Sequence, residues 1–258
     1  MIRALRDLVL YREIGLVLIE RQLRLRTKRS LLGTLWPIVS PGLLLLLYVF
    51  VFRQVFNVPI DRYPEFLLCG LLPWAFLVQS LPRAIASLSG EPELIRRARM
   101  PYAIIPIATV IANAAYLAIT LSAFIIYLAI VGQLTLATLL AVVLPFLAVL
   151  LLVMSLGMLI ALIDVYNQDL QLVLGNLLTV WFFLIPIVYR PRMAPESLSF
   201  LRSIDPMNLI VGQFRDVLYF GNISRPGHMV LMLVVCLTLF LASLATFGRF
   251  SGQLAKDV

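Results

Sequence analysis

Lysine is nearly missing from this chain. Only Lys28 and Lys256 occur in 258 residues, and neither follows a glycine. A phosphate-binding loop of the Gly-Lys-Ser/Thr type is thereby excluded, so the chain carries no Walker-type ATP site. Histidine occurs once, as His228, and the two cysteines, Cys69 and Cys236, lie far apart inside hydrophobic runs. They supply neither a metal set nor a disulfide framework. No Gly-x-Ser-x-Gly is present, which removes the hydrolase nucleophile elbow. Charge is scarce as well, at 13% of residues, about half of what a soluble domain carries. From Met100 to Ile163 there is none, so a proton relay of mid-membrane acids has nothing to run on. A transporter lacking both an ion-coupling residue and an ATP site must draw its energy from a separate ATP-hydrolysing subunit.

What the chain has instead is apolar surface: 62% of residues are hydrophobic and mean hydropathy is positive. No globular core hides that much, so the solvent is lipid and the fold class is an all-α integral membrane protein. The net charge of +8 belongs to the flanks of membrane spans, where Arg and Lys collect on the cytoplasmic side, rather than to a nucleic-acid surface. At about 20 residues per crossing, the apolar runs divide into six transmembrane helices, over 33–54, 66–88, 103–131, 135–163, 170–189 and 229–248. Gly132-Gln133-Leu134-Thr135 is the turn that splits the long uncharged stretch. The first apolar run follows a basic segment and is too long for the core of a signal peptide. Basic residues before the first span, after the second and after the sixth put both termini in the cytoplasm. Residues 190–227 fit that rule poorly, with five arginines, but long loops count for less in it.

Several segments stand out, each with a plain alternative. In residues 1–29, Leu5, Leu8, Val9, Leu16, Ile19 and Leu23 gather on one side at helical spacing. Arg6, Glu13, Glu20, Arg21 and Arg24 gather on the other. This reads as an amphipathic helix in the cytoplasmic interface, or as a basic flank that only fixes topology. Between spans two and three, 91–100 places Glu93 four residues before Arg97, with Pro92 suited to a first turn. That is a short cytoplasmic helix a motor subunit could grip, or a solvated turn. After span five, Asp205-Pro206 reads as an N-cap and first helical residue, with Gly221-Asn222 as the stop. Together with a shorter helix before it, this segment forms either a hairpin re-entering the membrane between spans five and six or a cap outside it. Tyr48, Phe52, Phe56, Trp74, Phe76, Trp181, Phe182 and Phe183 lie in spans or near their ends. Aromatic belts explain such residues, and so does stacking on sugar rings.

Five stretches together resemble the membrane subunit of ABC transporters that export lipid-linked polysaccharides: O-antigens, capsules and teichoic acids. They are Arg29-Ser-Leu-Leu-Gly-Thr-Leu-Trp-Pro37; Phe66-Leu-Leu-Cys-Gly-Leu-Leu-Pro-Trp74; Leu94-Ile-Arg-Arg with Met100-Pro101; Asp164-Val-Tyr-Asn-Gln-Asp169 with Trp181-Phe-Phe-Leu-Ile-Pro-Ile-Val-Tyr189; and Asp205-Pro-Met-Asn208 with Phe214-Arg-Asp216 and Tyr219-Phe-Gly221. Their order and spacing within a six-span frame carry the resemblance, and no single motif does. Met100 and Asp205 depart from the residues commoner before those prolines.

The resemblance implies a homodimer in the bacterial inner membrane, served by two cytoplasmic ATP-binding subunits. ATP and magnesium bind those subunits, and this chain has no cofactor of its own. Spans one, two and five help line a central channel, with Trp36, Tyr48, Phe52, Trp74, Phe76, Trp181 and Phe182 as channel residues. Arg29 and Arg83 are candidates to receive the pyrophosphate of a polyprenyl-linked glycan at the cytoplasmic entrance. Glu13, Glu20, Glu93, Arg96 and Arg97 are candidates for contact with the ATPase. The hairpin over 192–221 forms an extracytoplasmic gate, with Pro206, Phe214, Arg215 and Asp216 as its key residues. Competing expectations are an ABC permease for a smaller lipid or drug, and, from another class, an intramembrane transferase acting on lipid-linked sugars. The transferase would use Asp164 and Asp169, the one tight acidic pair near a span end.

Overall fold

The computed structural model describes residues 2–27, 36–55, 59–90, 100–165, 169–190, 199–223 and 226–257, and among these the regular structure is helical throughout. Helices α1 (Ile2–Leu10) and α2 (Arg12–Thr27) form the N-terminal arm. Helix α3 (Trp36–Val49) runs on as a π-helical turn over Phe50–Val55. Then come α4 (Tyr63–Ser89), α5 (Ile104–Ile130), α6 (Leu136–Ala141), α7 (Val143–Asp164) and α8 (Leu170–Leu184). The short α9 (Ser199–Ile204) and α10 (Pro206–Leu218) precede the last helix, α11 (Pro226–Asp257). In lipid a backbone must satisfy its own hydrogen bonds, which long uncharged runs do as helices.

Among the described residues, four helices are long and apolar enough to cross a bilayer: Tyr63–Ser89, Ile104–Ile130, Leu136–Asp164 and Pro226–Phe250. The third of these joins α6 and α7. The two remaining apolar helices, Val39–Val55 and Leu170–Leu184, are shorter. The fifth apolar run illustrates why. It reads as continuous to residue 189, yet α8 stops at Leu184, and Ile185 is extended at φ −82 and ψ 131. Pro186 forces this, because a proline clashes with a helical residue before it. At about 1.5 Å per residue, the 15 residues of α8 span roughly 22 Å, less than a hydrocarbon core of about 30 Å.

Other boundaries follow local chemistry closely. The turn at Gly132 takes φ +74, and Gln133 N–H donates to the Leu128 carbonyl at 2.9 Å, a Schellman-type stop that suits glycine. Thr135 then caps α6 through a reciprocal pair with Thr138. The N-terminal arm is broken at Tyr11, and its inward face differs from the one that periodicity alone gives. Leu8, Tyr11 and Leu18 pack on the bundle, and Gly15 comes against Ile104 of α5. Val9 and Leu16 are left exposed.

Helices α4, α5, α7 and α11 form the packed body, with α10 wedged against α4 and α7. Helices α3 and α8 are attached more loosely, chiefly through α4. They leave long apolar faces open: Leu46 is 67% exposed and Leu172 is 77% exposed, with Leu43, Leu47, Leu177, Val180 and Phe183 beside them in sequence register. Surface of this kind needs lipid or a second protein against it.

Candidate functional site

The site is built at the end of the bundle where α4 starts and α8 stops. Five of the seven aromatics expected to line the channel meet there. Tyr48 of α3 stacks on Phe182 of α8 with centroids 5.7 Å apart, and Phe52 lies 6.2 Å from Tyr48. Trp74 of α4 meets Trp181 edge to face at 5.7 Å and Phe182 at 5.7 Å. Such pairs are worth about 0.5–1.5 kcal/mol beyond the area they bury. The cluster therefore fastens two loosely held helices, α3 and α8, to the rigid α4. The other two aromatics stand apart. Trp36 is exposed at the start of α3, and Phe76 is buried in the core without joining the rings.

Trp181 also ties the cluster to α10. Its indole N–H donates to Asp205 Oδ2 at 2.9 Å, while Asp205 Oδ1 accepts from the backbone N–H of Met207 at 2.9 Å. One carboxylate thus caps α10 and holds the end of α8. Burial raises the Asp205 pKa, and the donors from Trp181, Met207 and Asn208 oppose that rise.

The non-helical segment after α8 is held by side chains from both neighbours. Arg215 of α10 donates from Nη2 to the Ile187 carbonyl at 2.7 Å, and its guanidinium lies 3.7 Å above the Phe66 ring. Burial lowers the Arg215 pKa to about 10, so it remains a cation at neutral pH. Tyr63 donates its hydroxyl to the Val188 carbonyl at 2.9 Å. These bonds satisfy backbone carbonyls of the non-helical segment, which has no helical ladder to pair them. Gly70 makes the approach possible. A Cβ there would meet Ile187 at 3.2 Å, Val211 at 3.3 Å and Arg215 at 3.4 Å.

At the rim, Arg62 reaches across. It donates to the Tyr219 carbonyl at 2.8 Å, lies 4.8 Å from the Tyr219 ring, and also bonds Gln133 Oε1. Tyr219 in turn donates to the Asp61 carbonyl at 2.6 Å. Of the four residues expected in the hairpin, Pro206 opens α10, Phe214 is fully buried and Arg215 is the staple just described. Asp216 is half-buried beside the staple. The sequence offers no signal for Tyr63 or Arg62, whose partners are backbone groups 125 and 157 residues away. Asp205 was legible as a cap, but its bond to Trp181 was not.

The opposite end of the bundle carries a second polar knot. Asp164, fully buried at the end of α7, accepts at Oδ2 from Ser89 Oγ at 3.2 Å and from Gln171 Nε2 at 2.8 Å. It therefore joins the end of α4 to the start of α8. Asp169 is exposed, whereas Asp164 is buried. Arg83 donates to Asn113 Oδ1 at 3.0 Å. Glu13 and Glu20 are exposed on α2, and Glu20 pairs with Arg24. Arg29, Glu93, Arg96, Arg97 and most of the 91–100 segment lie outside the described residues, as do 191–198 of the hairpin.

Against known proteins, the profile of the family described as ABC-2 type transporter matches residues 15–219. An O-antigen export system permease protein RfbA of Myxococcus xanthus is 28% identical over 262 residues, which cover 100% of each chain. Two proteins of the same name from Klebsiella pneumoniae are 22% and 23% identical over 245 residues, covering 95% of this chain and 94% of theirs.

Proposed function

Since the chain belongs to the ABC-2 type transporter family, we propose that it is the channel-forming permease subunit of an exporter of O-antigen-type, polyprenyl-pyrophosphate-linked polysaccharide. It works as a homodimer in the inner membrane, with six spans and both termini cytoplasmic, driven by two separate ATP-binding subunits that hold ATP and magnesium. The observation that carries this proposal is the aromatic cluster of Tyr48, Phe52, Trp74, Trp181 and Phe182. It lies on α3, α4 and α8, and two of these helices have apolar faces that the chain leaves open. Pairing of α3 and α8 with a second copy would cover those faces and bring two aromatic clusters toward one axis. Aromatic walls let a glycan slide past without the strong, fixed hydrogen bonds that would trap it.

In this scheme the 91–100 segment, with Glu93, Arg96 and Arg97, and the N-terminal arm, with Glu13 and Glu20, receive the motion of the ATPases. The Asp164 knot passes that motion from the root of α4 to the start of α8. At the far end, the Trp181–Asp205 bond passes it to α10, which with α9 forms the gate. Arg29 and Arg83 receive the pyrophosphate. The test is reconstitution of the chain with its ATPase in proteoliposomes. ATP hydrolysis stimulated by lipid-linked glycan, with glycan appearing on the far side, is expected. Stimulation only by small lipids or drugs, or sugar transfer by the chain alone, would refute the proposal.

A further inference from the structure

A cleft of about 380 Å³ lies between α3, the start of α4 and the last turns of α5, a size within the range of small-molecule sites. No member of the aromatic cluster lines it. Its wall on α3 stands off from the bundle, since a Cβ on Gly42 would meet nothing within 4 Å. Its mouth is open, with Tyr127 45% exposed.

Glu65 is the one charged residue of this lining. The side chain is buried at 6% exposure, and Oε1 accepts from the Tyr127 hydroxyl at 3.0 Å. Oε2 has no hydrogen-bond partner among the described residues, yet unlike Ser80 Oγ or Arg215 Nε it is not sealed from the cleft. A carboxylate at the edge of an apolar space is costly without a donor. The remaining walls are Leu45, Leu68, Leu72 and Phe124, the last stacked with Tyr127 at 6.4 Å. Thr120 spends its hydroxyl on the carbonyls of Tyr116 and Leu117, both at 3.0 Å, so the inner part of the cleft asks for nothing polar.

Depth orders these features. The 27 residues of α4 make about 40 Å, more than the roughly 30 Å of hydrocarbon, so Glu65 in its first turn sits at headgroup level. Leu72 lies seven residues farther along α4, and Thr120 seven residues back along α5 from Tyr127, each about 10 Å deeper. The cleft is thus acidic at its mouth and apolar below.

The geometry points to this cleft as a binding site for an amphiphile with a primary-ammonium head and an alkyl chain. The ammonium donates to Glu65 Oε2 beside the Tyr127 ring, and the chain runs down Leu68 and Leu72. An anionic head meets no cation in this lining and is repelled by the carboxylate. Such an occupant props α3 against α4 and α5, one turn along from Tyr48. The inference rests on the membrane fold and not on which cargo is exported.

The test is photolabelling of the full-length protein in neutral-detergent micelles, with no transport required. The probes are diazirine-bearing dodecylamine, dodecanol and dodecanoate, and labelled peptides are mapped by mass spectrometry. The amine is expected to label the peptides holding Leu68–Leu72 and Ala123–Tyr127 roughly tenfold more than the alcohol, the gap between a charge-assisted and a neutral hydrogen bond. Glu65→Gln, which keeps an acceptor for Tyr127, should bring the amine down to the level of the alcohol. Leu68→Trp, which fills the cleft, should suppress labelling there by both. Competition by excess phosphatidylethanolamine would assign the ammonium to a membrane lipid and its failure to a free amine, and either result supports the site. Thermal melting reports whether each variant folds, and amine-over-alcohol selectivity of the unaltered protein decides the matter even if neither does. Equal labelling by amine and alcohol, preference for dodecanoate, or unchanged amine labelling of a folded Glu65→Gln would overturn it.

Discussion

Replacing Tyr63 by phenylalanine removes one oxygen and nothing else from the end of the bundle where α4 starts. The Tyr63 ring is fully buried, and its hydroxyl is 2.9 Å from the carbonyl of Val188, itself on a residue 3% exposed. Deleting the donor strands that carbonyl where water cannot replace it. An orphaned buried acceptor costs about 1–3 kcal/mol in soluble proteins, whereas side-chain hydrogen bonds in membrane proteins average about 0.6 kcal/mol with a maximum near 1.7. A loss of about 1 kcal/mol is therefore expected for Tyr63→Phe. The neighbouring carbonyl of Ile187 is held by Arg215, so the two anchors share one short segment and should be coupled. In a double-mutant cycle with Arg215→Met, an interaction energy of at least about 0.5 kcal/mol is expected. Arg215→Met alone should cost less than its contacts suggest, since it also relieves the burial of a charge. Unfolding in mixed micelles, followed by fluorescence, suits the assay because Trp74 and Trp181 sit beside this segment. A Tyr63→Phe variant within about 0.3 kcal/mol of the parent, or strict additivity in the cycle, would show that the segment after α8 is not held as described.

Two further outcomes address function. Tyr48→Ala, Phe52→Ala and Trp181→Ala, each in a complex that still assembles, should lower glycan export severalfold while basal ATP hydrolysis persists. If all three export normally, the aromatics serve the lipid interface instead. Asp164→Asn keeps the shape of the knot but weakens a carboxylate that Ser89 and Gln171 share. Assembly and ATP hydrolysis should be preserved while glycan moved per ATP falls, and an unchanged ratio would remove Asp164 from the coupling path.

Local punctuation was largely legible. Asp205 and Pro206 announce the start of α10, where the Asp205 carboxylate does cap Met207. Gly132 marks a turn that needs its positive φ. Proline also wrote the end of α8 into the chain, at Pro186, although hydropathy alone carries the run on to residue 189. Periodicity was a poorer guide for the N-terminal arm. Residues exposed at an interface obey a looser pattern, and Leu8, Tyr11, Gly15 and Leu18 were selected by the surface of α5 and its neighbours rather than by hydrophobicity alone.

By itself the sequence determined that the chain is a helical membrane protein and that it carries no Gly-Lys-Ser/Thr phosphate loop. Both follow from composition and from the near absence of lysine, properties that no arrangement in space can alter. Tertiary structure decided which aromatics meet, that Trp181 and Asp205 join α8 to α10, and that Arg215 and Tyr63 hold the segment between those helices. It also decided that Asp164 joins Ser89 to Gln171 across the ends of two helices. The reason is physical. Hydropathy and turn chemistry act along the chain, whereas these contacts link side chains to backbone carbonyls and rings far away in sequence, where no local pattern records them.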